Sequence, residues 1–150
     1  MSIKQIVIDA SVALKWRLQD EECIEQADLL LGDFVAKKLQ LLTPTIFDYE
    51  ITNVFKVATL KGRIEKADAT QAVKDFQAFG IKRYAFDKVQ LLALELAYRY
   101  QRSVYDSAYL ALAQSQNLWL FTGDKRLFNA VHVALPFVKW IGDYQFTDVP

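Results

Sequence analysis

Two spacings of apolar residues alternate along this chain of 150 residues. Short unbroken apolar runs predict strands buried on both faces, and longer stretches with apolar residues every three or four positions predict helices. Residues 3–9 carry the run Ile6-Val7-Ile8 and predict a central strand. Residues 12–18 and then 21–38 predict helices, the second with Ala27, Leu30, Leu31 and Phe34 on one side. A strand over 39–43 stops at Pro44. Ile46, Phe47, Ile51, Val54, Phe55 and Ala58 mark the clearest helix, 46–61, with Gly62 placed to end it. A helix over 65–78 is closed by Gly80, and Ile81 to Phe86 predicts a third strand. Asp87 is placed to cap a helix reaching Tyr100, with Leu91, Leu94 and Leu96 as its apolar contacts. The mostly apolar stretch 106–116 predicts a helix buried on several sides, then a strand from Leu118 to Thr122, a short helix from Lys125 and an edge strand over 137–140. Alternating strands and helices predict an α/β fold with a mostly parallel sheet. No repeat, linker or low-complexity tract interrupts the pattern, so residues 1–150 are expected to form one domain.

Four acidic residues cut across this pattern. Asp9 closes the first apolar strand, and Asp124 follows Leu118-Trp119-Leu120-Phe121-Thr122-Gly123. Glu50 falls within the inward stripe of its helix, whereas Asp48, two residues earlier, faces elsewhere and suits the helix N-terminus. Asp106 opens the buried helix, where it serves equally as an N-cap. Desolvating a carboxylate is costly, so four in near-core settings call for cations. Lone loop, cap or salt-bridge roles explain any one of them. Together they point to a shared site for a hard divalent ion, Mg²⁺ or Mn²⁺, which activates water and offsets charge on a phosphodiester. Ser11 and Thr122, each two residues from an aspartate, are candidates to orient these acids, although Ser11 also suits a helix cap. Lys125 and Arg126 are placed to touch phosphate or to stay in solvent, and Tyr105 and Tyr109 are expected to pack.

Composition adds bounds. The 18 basic and 18 acidic residues balance, which argues against a strongly basic nucleic-acid-binding module until four acids are assigned to metal. The apolar fraction of 53% suits either a large core or a surface for self-association or a protein partner. The single Cys23 excludes an intrachain disulfide and is expected to be a passive helix residue. Met1-Ser2-Ile3-Lys4 leads straight into a strand with no leader, and no apolar stretch approaches the ~20 residues needed to cross a bilayer. A cytoplasmic protein without membrane contact is therefore expected. The single His132, expected on the surface or in a strand, excludes a paired-histidine mechanism and a histidine-rich zinc site. No glycine-rich dinucleotide fingerprint or phosphate loop is present.

Four segments carry a family resemblance: Val7-Ile8-Asp9-Ala10-Ser11-Val12-Ala13-Leu14-Lys15-Trp16; Pro44 with Glu50, Asn53 and Val54; Tyr105-Asp106-Ser107-Ala108-Tyr109-Leu110-Ala111-Leu112-Ala113; and Thr122-Gly123-Asp124-Lys125-Arg126-Leu127. In this order they resemble the motifs of PIN-domain ribonucleases, particularly VapC-like toxins. The resemblance implies a three-layer α/β/α sandwich with about five strands. It implies that Asp9, Glu50, Asp106 and Asp124 are catalytic and bind Mg²⁺ or Mn²⁺. It further implies cleavage of single-stranded RNA, a homodimer, and neutralisation by an antitoxin that inserts a segment into the acidic cleft. Some relatives carry another acid shortly after the last aspartate. Lys125 and Arg126 stand there in this chain, which implies a second ion held weakly or only with RNA.

A different class remains open from the residues alone. A non-catalytic, Mg-binding regulatory or protein-interaction module of similar fold would use Asp87 after the third strand as a phosphoryl acceptor and Lys139 in the last strand as its partner. That alternative leaves Glu50 and Asp106 without a role.

Overall fold

The computed structural model describes residues 3–150; Met1 and Ser2, the start of the expected leaderless N-terminus, lie outside the described residues. Five strands, β1 (Lys4–Ile8), β2 (Leu39–Pro44), β3 (Lys82–Tyr84), β4 (Trp119–Thr122) and β5 (Val138–Trp140), form one sheet in the order β3-β2-β1-β4-β5. All four pairings are parallel, with Val7 aligned to Leu42 on one side and to Leu120 on the other. Ile6, Val7 and Ile8 are fully buried, as a strand in the middle of a parallel sheet requires.

Seven helices connect the strands among the described residues: α1 (Ala10–Leu14), α2 (Ile24–Val35), α3 (Ile46–Leu60), α4 (Lys66–Ala78), α5 (Gln90–Tyr100), α6 (Val104–Gln116) and α7 (Lys125–Val131). The chain runs outward from β1 to β3, then returns to β4. Right-handed crossovers therefore place α1 to α4 on one face and α5 and α6 on the other, giving three layers. Helix α6 lies against β1, β2 and β4 with α5 packed on it, which explains the unbroken burial of Ser107 to Ala113. The order reverses at the β1–β4 junction, the switch point where open α/β sheets form a crevice beyond their carboxyl ends.

Helix boundaries depart from the periodicity at capping sites. The expected 12–18 helix is the single turn α1 starting at Ala10, because Asp9 caps it by accepting from the Val12 N–H. Ser11 therefore does not cap this helix. The expected 21–38 helix begins only at Ile24, because Cys23 adopts a left-handed conformation, φ 58°, outside the helix. Asp87 does not cap α5; it sits exposed in a 3-10 turn, and Val89 precedes the helix. Leu91 is 84% exposed and Leu94 43%, so only Leu96 of the three expected leucines reaches the core, joined by Ala93. Ser103, not Asp106, caps α6, its hydroxyl accepting from the Asp106 N–H at 2.9 Å. His132 ends α7 and stacks on Phe128, with centroids 4.3 Å apart, instead of lying in a strand. Gly62 does end α3 as expected. Its φ of 72° allows Arg63 to donate to the Ala58 carbonyl, closing the last turn.

Phe76 of α4 ties the helices to one another. Its ring meets Trp16, Phe47, Phe55 and Phe79 with centroid separations of 5.1–6.1 Å, fixing α3 against α4 and the end of α1. Phe76→Ala should cost about 3–5 kcal/mol in denaturant unfolding, since it leaves a cavity in a buried cluster. Among the described residues, the buried hydroxyl of Thr43 at the end of β2 has no hydrogen-bond partner. Thr43→Val keeps the shape and removes that unmet group, so the same assay should show a gain of about 1 kcal/mol.

Candidate active site

The β1–β4 pairing brings the two strand-end aspartates to one crevice. Asp9 follows β1 directly and is 6% exposed. Ser11 donates to its Oδ1, and Thr122 at the end of β4 donates to its Oδ2. The Val12 N–H reaches Oδ1 at 3.3 Å. Ser11 also accepts from the Gly123 N–H at 2.8 Å, and Thr122 accepts from the Asp124 N–H at 3.0 Å. Two hydroxyls thus join the ends of both strands to one carboxylate. Burial outweighs these hydrogen bonds and pushes the Asp9 carboxyl up from 3.8 to about 7, with the nearby Asp124 adding to the rise.

Asp124 caps α7. Its Oδ1 accepts from the Arg126 and Leu127 N–H groups at 2.9 and 3.2 Å. Asp106, the third residue of α6, accepts no hydrogen bond among the described residues. Burial and then repulsion from Asp124 hold its carboxyl above the usual range, opposed by Arg102. Glu50 projects from the second turn of α3, and its Oε1 accepts from the Tyr109 hydroxyl at 2.6 Å. Burial raises its carboxyl, Tyr109 opposes the rise and Asp106 adds to it. Among the described residues no lysine or arginine pairs with Glu50, whereas Asp48 pairs with Arg83 at 2.8 Å. The inward and outward assignments of these two acids therefore match their surroundings.

Repulsion runs from Asp9 to Asp124, from Asp124 to Asp106 and from Asp106 to Glu50. The four acids thus form one electrostatic neighbourhood assembled from β1, α3, α6 and the turn after β4. Among the described residues, no three His, Cys, Asp or Glu side chains stand close enough as placed to hold one ion between them. The donor chemistry nonetheless fits a hard cation. Every side-chain donor of the four acids is an oxygen, and among the described residues the Asp106 carboxylate and one oxygen each of Glu50 and Asp124 carry no hydrogen bond. Oxygen donors of this kind suit Mg²⁺, which keeps several of its own waters where few protein ligands reach it.

Residues 6–133 match the family model described as the PIN domain. The chain belongs to the PIN domain family. Ribonuclease VapC9 of Mycobacterium tuberculosis is 31% identical over 131 residues, spanning 87% of this chain and 94% of that protein. The fold of this PIN domain is similar to a crystal structure from Pyrobaculum aerophilum, with TM-score 0.62, 21% identity and coverage of 85% of this chain and 79% of that one. It is equally similar to a toxin–antitoxin complex from Klebsiella pneumoniae, with TM-score 0.62, 18% identity and coverage of 89% and 95%. At these identities the two structures speak for the fold alone.

The expected packing role of Tyr109 is only half of what this PIN domain shows, because its phenol is also the partner of Glu50. Its position three residues after Asp106, on the same side of α6, is the sequence signal for that contact. The receiver-like alternative loses its geometry. Strand β3 is at the sheet edge, Asp87 is exposed, and the Lys139 ammonium lies 4.3 Å over the Trp119 ring.

Asp9 imposes a pH dependence. Between about pH 4 and 7 the folded chain holds a proton there that the unfolded chain releases, so stability falls as pH rises through this window. Below it both states are protonated, and above it the full desolvation penalty remains. Urea unfolding in chelator should show Asp9→Asn gaining about 2–4 kcal/mol on the unaltered protein between pH 4 and 8.

Proposed function

We propose that this PIN domain is a metal-dependent endoribonuclease and the toxin of a toxin–antitoxin pair. The observation that carries the proposal is the set of four acids, free of lysine or arginine ion pairs among the described residues, gathered at the switch point of a PIN-family sheet. Likeness to a protein named a ribonuclease and to a toxin–antitoxin complex supports the substrate and the partner class.

Asp9, Glu50, Asp106 and Asp124 would hold Mg²⁺ or Mn²⁺. The ion supplies an acidified water and charge compensation at the scissile phosphate. The chain's own contribution is orientation. Ser11 and Thr122 hold both oxygens of Asp9, Tyr109 aims Glu50, and the first N–H groups of α7 fix Asp124. These contacts leave the Asp106 carboxylate and one oxygen each of Glu50 and Asp124 without a hydrogen bond among the described residues. An antitoxin bearing a basic side chain would satisfy the same oxygens and block RNA.

We read residues 1–150 as one catalytic domain acting in the reducing cytoplasm; no described helix is long and apolar enough to cross a membrane. We also assign a homodimer. Leu91, Leu94 and Tyr98 form an exposed stripe on α5, 84%, 43% and 78% accessible, at a spacing that keeps them on one side.

Purified protein should cleave single-stranded RNA with Mg²⁺ or Mn²⁺ and stop in chelator. Asp124→Asn and Asp106→Asn should each lower the rate at least about a hundredfold with an unchanged melting profile. Undiminished cleavage in both variants, or in chelator, would refute the metal site. Induced expression should arrest growth, and the Asp124→Asn variant should relieve the arrest.

A further inference from the structure

Lys15 is a lysine in the core. It lies between Leu14 and Trp16, both buried, and is itself only 5% exposed. Its backbone is pinned by the Val12 carbonyl and by the Gln19 amide. Its stem runs across Gly123, the residue between Thr122 and Asp124. A Cβ at Gly123 would lie 2.7 Å from Lys15 Cε and 3.4 Å from its Nζ, so a larger residue there would move the end of the lysine. Among the described residues, the Lys15 ammonium makes no hydrogen bond and no ion pair. Burying most of a lysine without a partner is costly.

The ammonium lines an open cavity of about 520 Å³, floored by Gly123 and Asp124. The acids on the opposite wall are already engaged. Asp20 and Glu21 face Arg63 at 2.6 and 3.7 Å, and Glu22 pairs with Lys125 at 3.0 Å. Among the described residues, Lys15, Arg126 and Asp124 are the charged side chains of the cavity left without an ion pair. Two free cations beside one acid of the site fit an anion lying next to the carboxylates.

We propose that Lys15 binds a backbone phosphate of the RNA and positions the strand against the acids, with Arg126 on the outer lip. This contact rests on the endoribonuclease proposal and extends it. Gly123 then leaves room for the end of the lysine beside Asp124. Lys15→Met keeps the apolar stem and removes the charge, and Lys15→Arg keeps the charge.

The test is binding of a fluorescent single-stranded RNA 12-mer in chelator, where no cleavage occurs, measured by anisotropy across a salt series. Lys15→Met should weaken binding about tenfold and lower the log–log salt slope by about 0.7, the value for one phosphate of a single strand. Lys15→Arg should restore most of both. In a scan of single methylphosphonate linkages, one position should weaken the unaltered protein as much as Lys15→Met does, and should weaken that variant no further. A purely structural lysine would show no such position. Gly123→Ala, which displaces the ammonium, should reproduce the defect and add little to it in the Lys15→Met background. This variant carries the test if Lys15→Met shows no cooperative melt. Equal affinity and slope in all variants, or losses spread evenly along the scan, overturn the phosphate contact alone. An unaltered protein that binds no RNA in chelator overturns this contact, and one that also fails to cleave RNA with Mg²⁺ or Mn²⁺ overturns the endoribonuclease proposal with it.

Discussion

A carboxylate buried at the end of a central strand is the constraint around which this molecule is arranged. Asp9 is removed from water because β1 is the middle strand of a parallel sheet with helices on both faces. Its charge is tolerated only through hydroxyls and one backbone N–H supplied by Ser11, Thr122 and Val12. Thr122 reaches it solely because β4 pairs directly with β1. The pairing that completes the hydrophobic core is thus also the pairing that completes the site.

The same economy governs the other acids. Two are oriented by neutral groups, a phenol for Glu50 and helix N–H groups for Asp124, while the Asp106 carboxylate accepts no hydrogen bond among the described residues. Three cations of the surrounding surface are committed to other acids, Arg83 to Asp48, Arg63 to Asp20 and Lys125 to Glu22. The crevice is left with mutual repulsion that a proton or a divalent ion relieves. That repulsion lowers stability locally, and the aromatic cluster around Phe76 offsets part of the cost.

Much of this was legible in the sequence. Apolar runs identified β1, β2 and β4, and periodicity identified α3 and α6, because burial leaves its mark in residue type. Ends were harder. Cys23 in a left-handed conformation, Ser103 as the cap of α6 and the exposed Leu91 all depend on neighbours that no local pattern contains. The four acids stood out because a carboxylate in an apolar setting violates local expectation. Tyr109 and Lys15 were less visible: a tyrosine within an apolar helix reads as packing, and a lysine after a short helix reads as surface.

The sequence by itself determined which segments are buried, and therefore the class of fold and the residues whose charge that burial makes anomalous. It did so because hydrophobic periodicity is a local property of the chain. Only the tertiary structure decided that β1 neighbours β4, that Ser11 and Thr122 share one carboxylate, that Tyr109 meets Glu50, and that Lys15 threads past Gly123 to the crevice. Those contacts join residues distant in the chain, and strand order and helix packing set them.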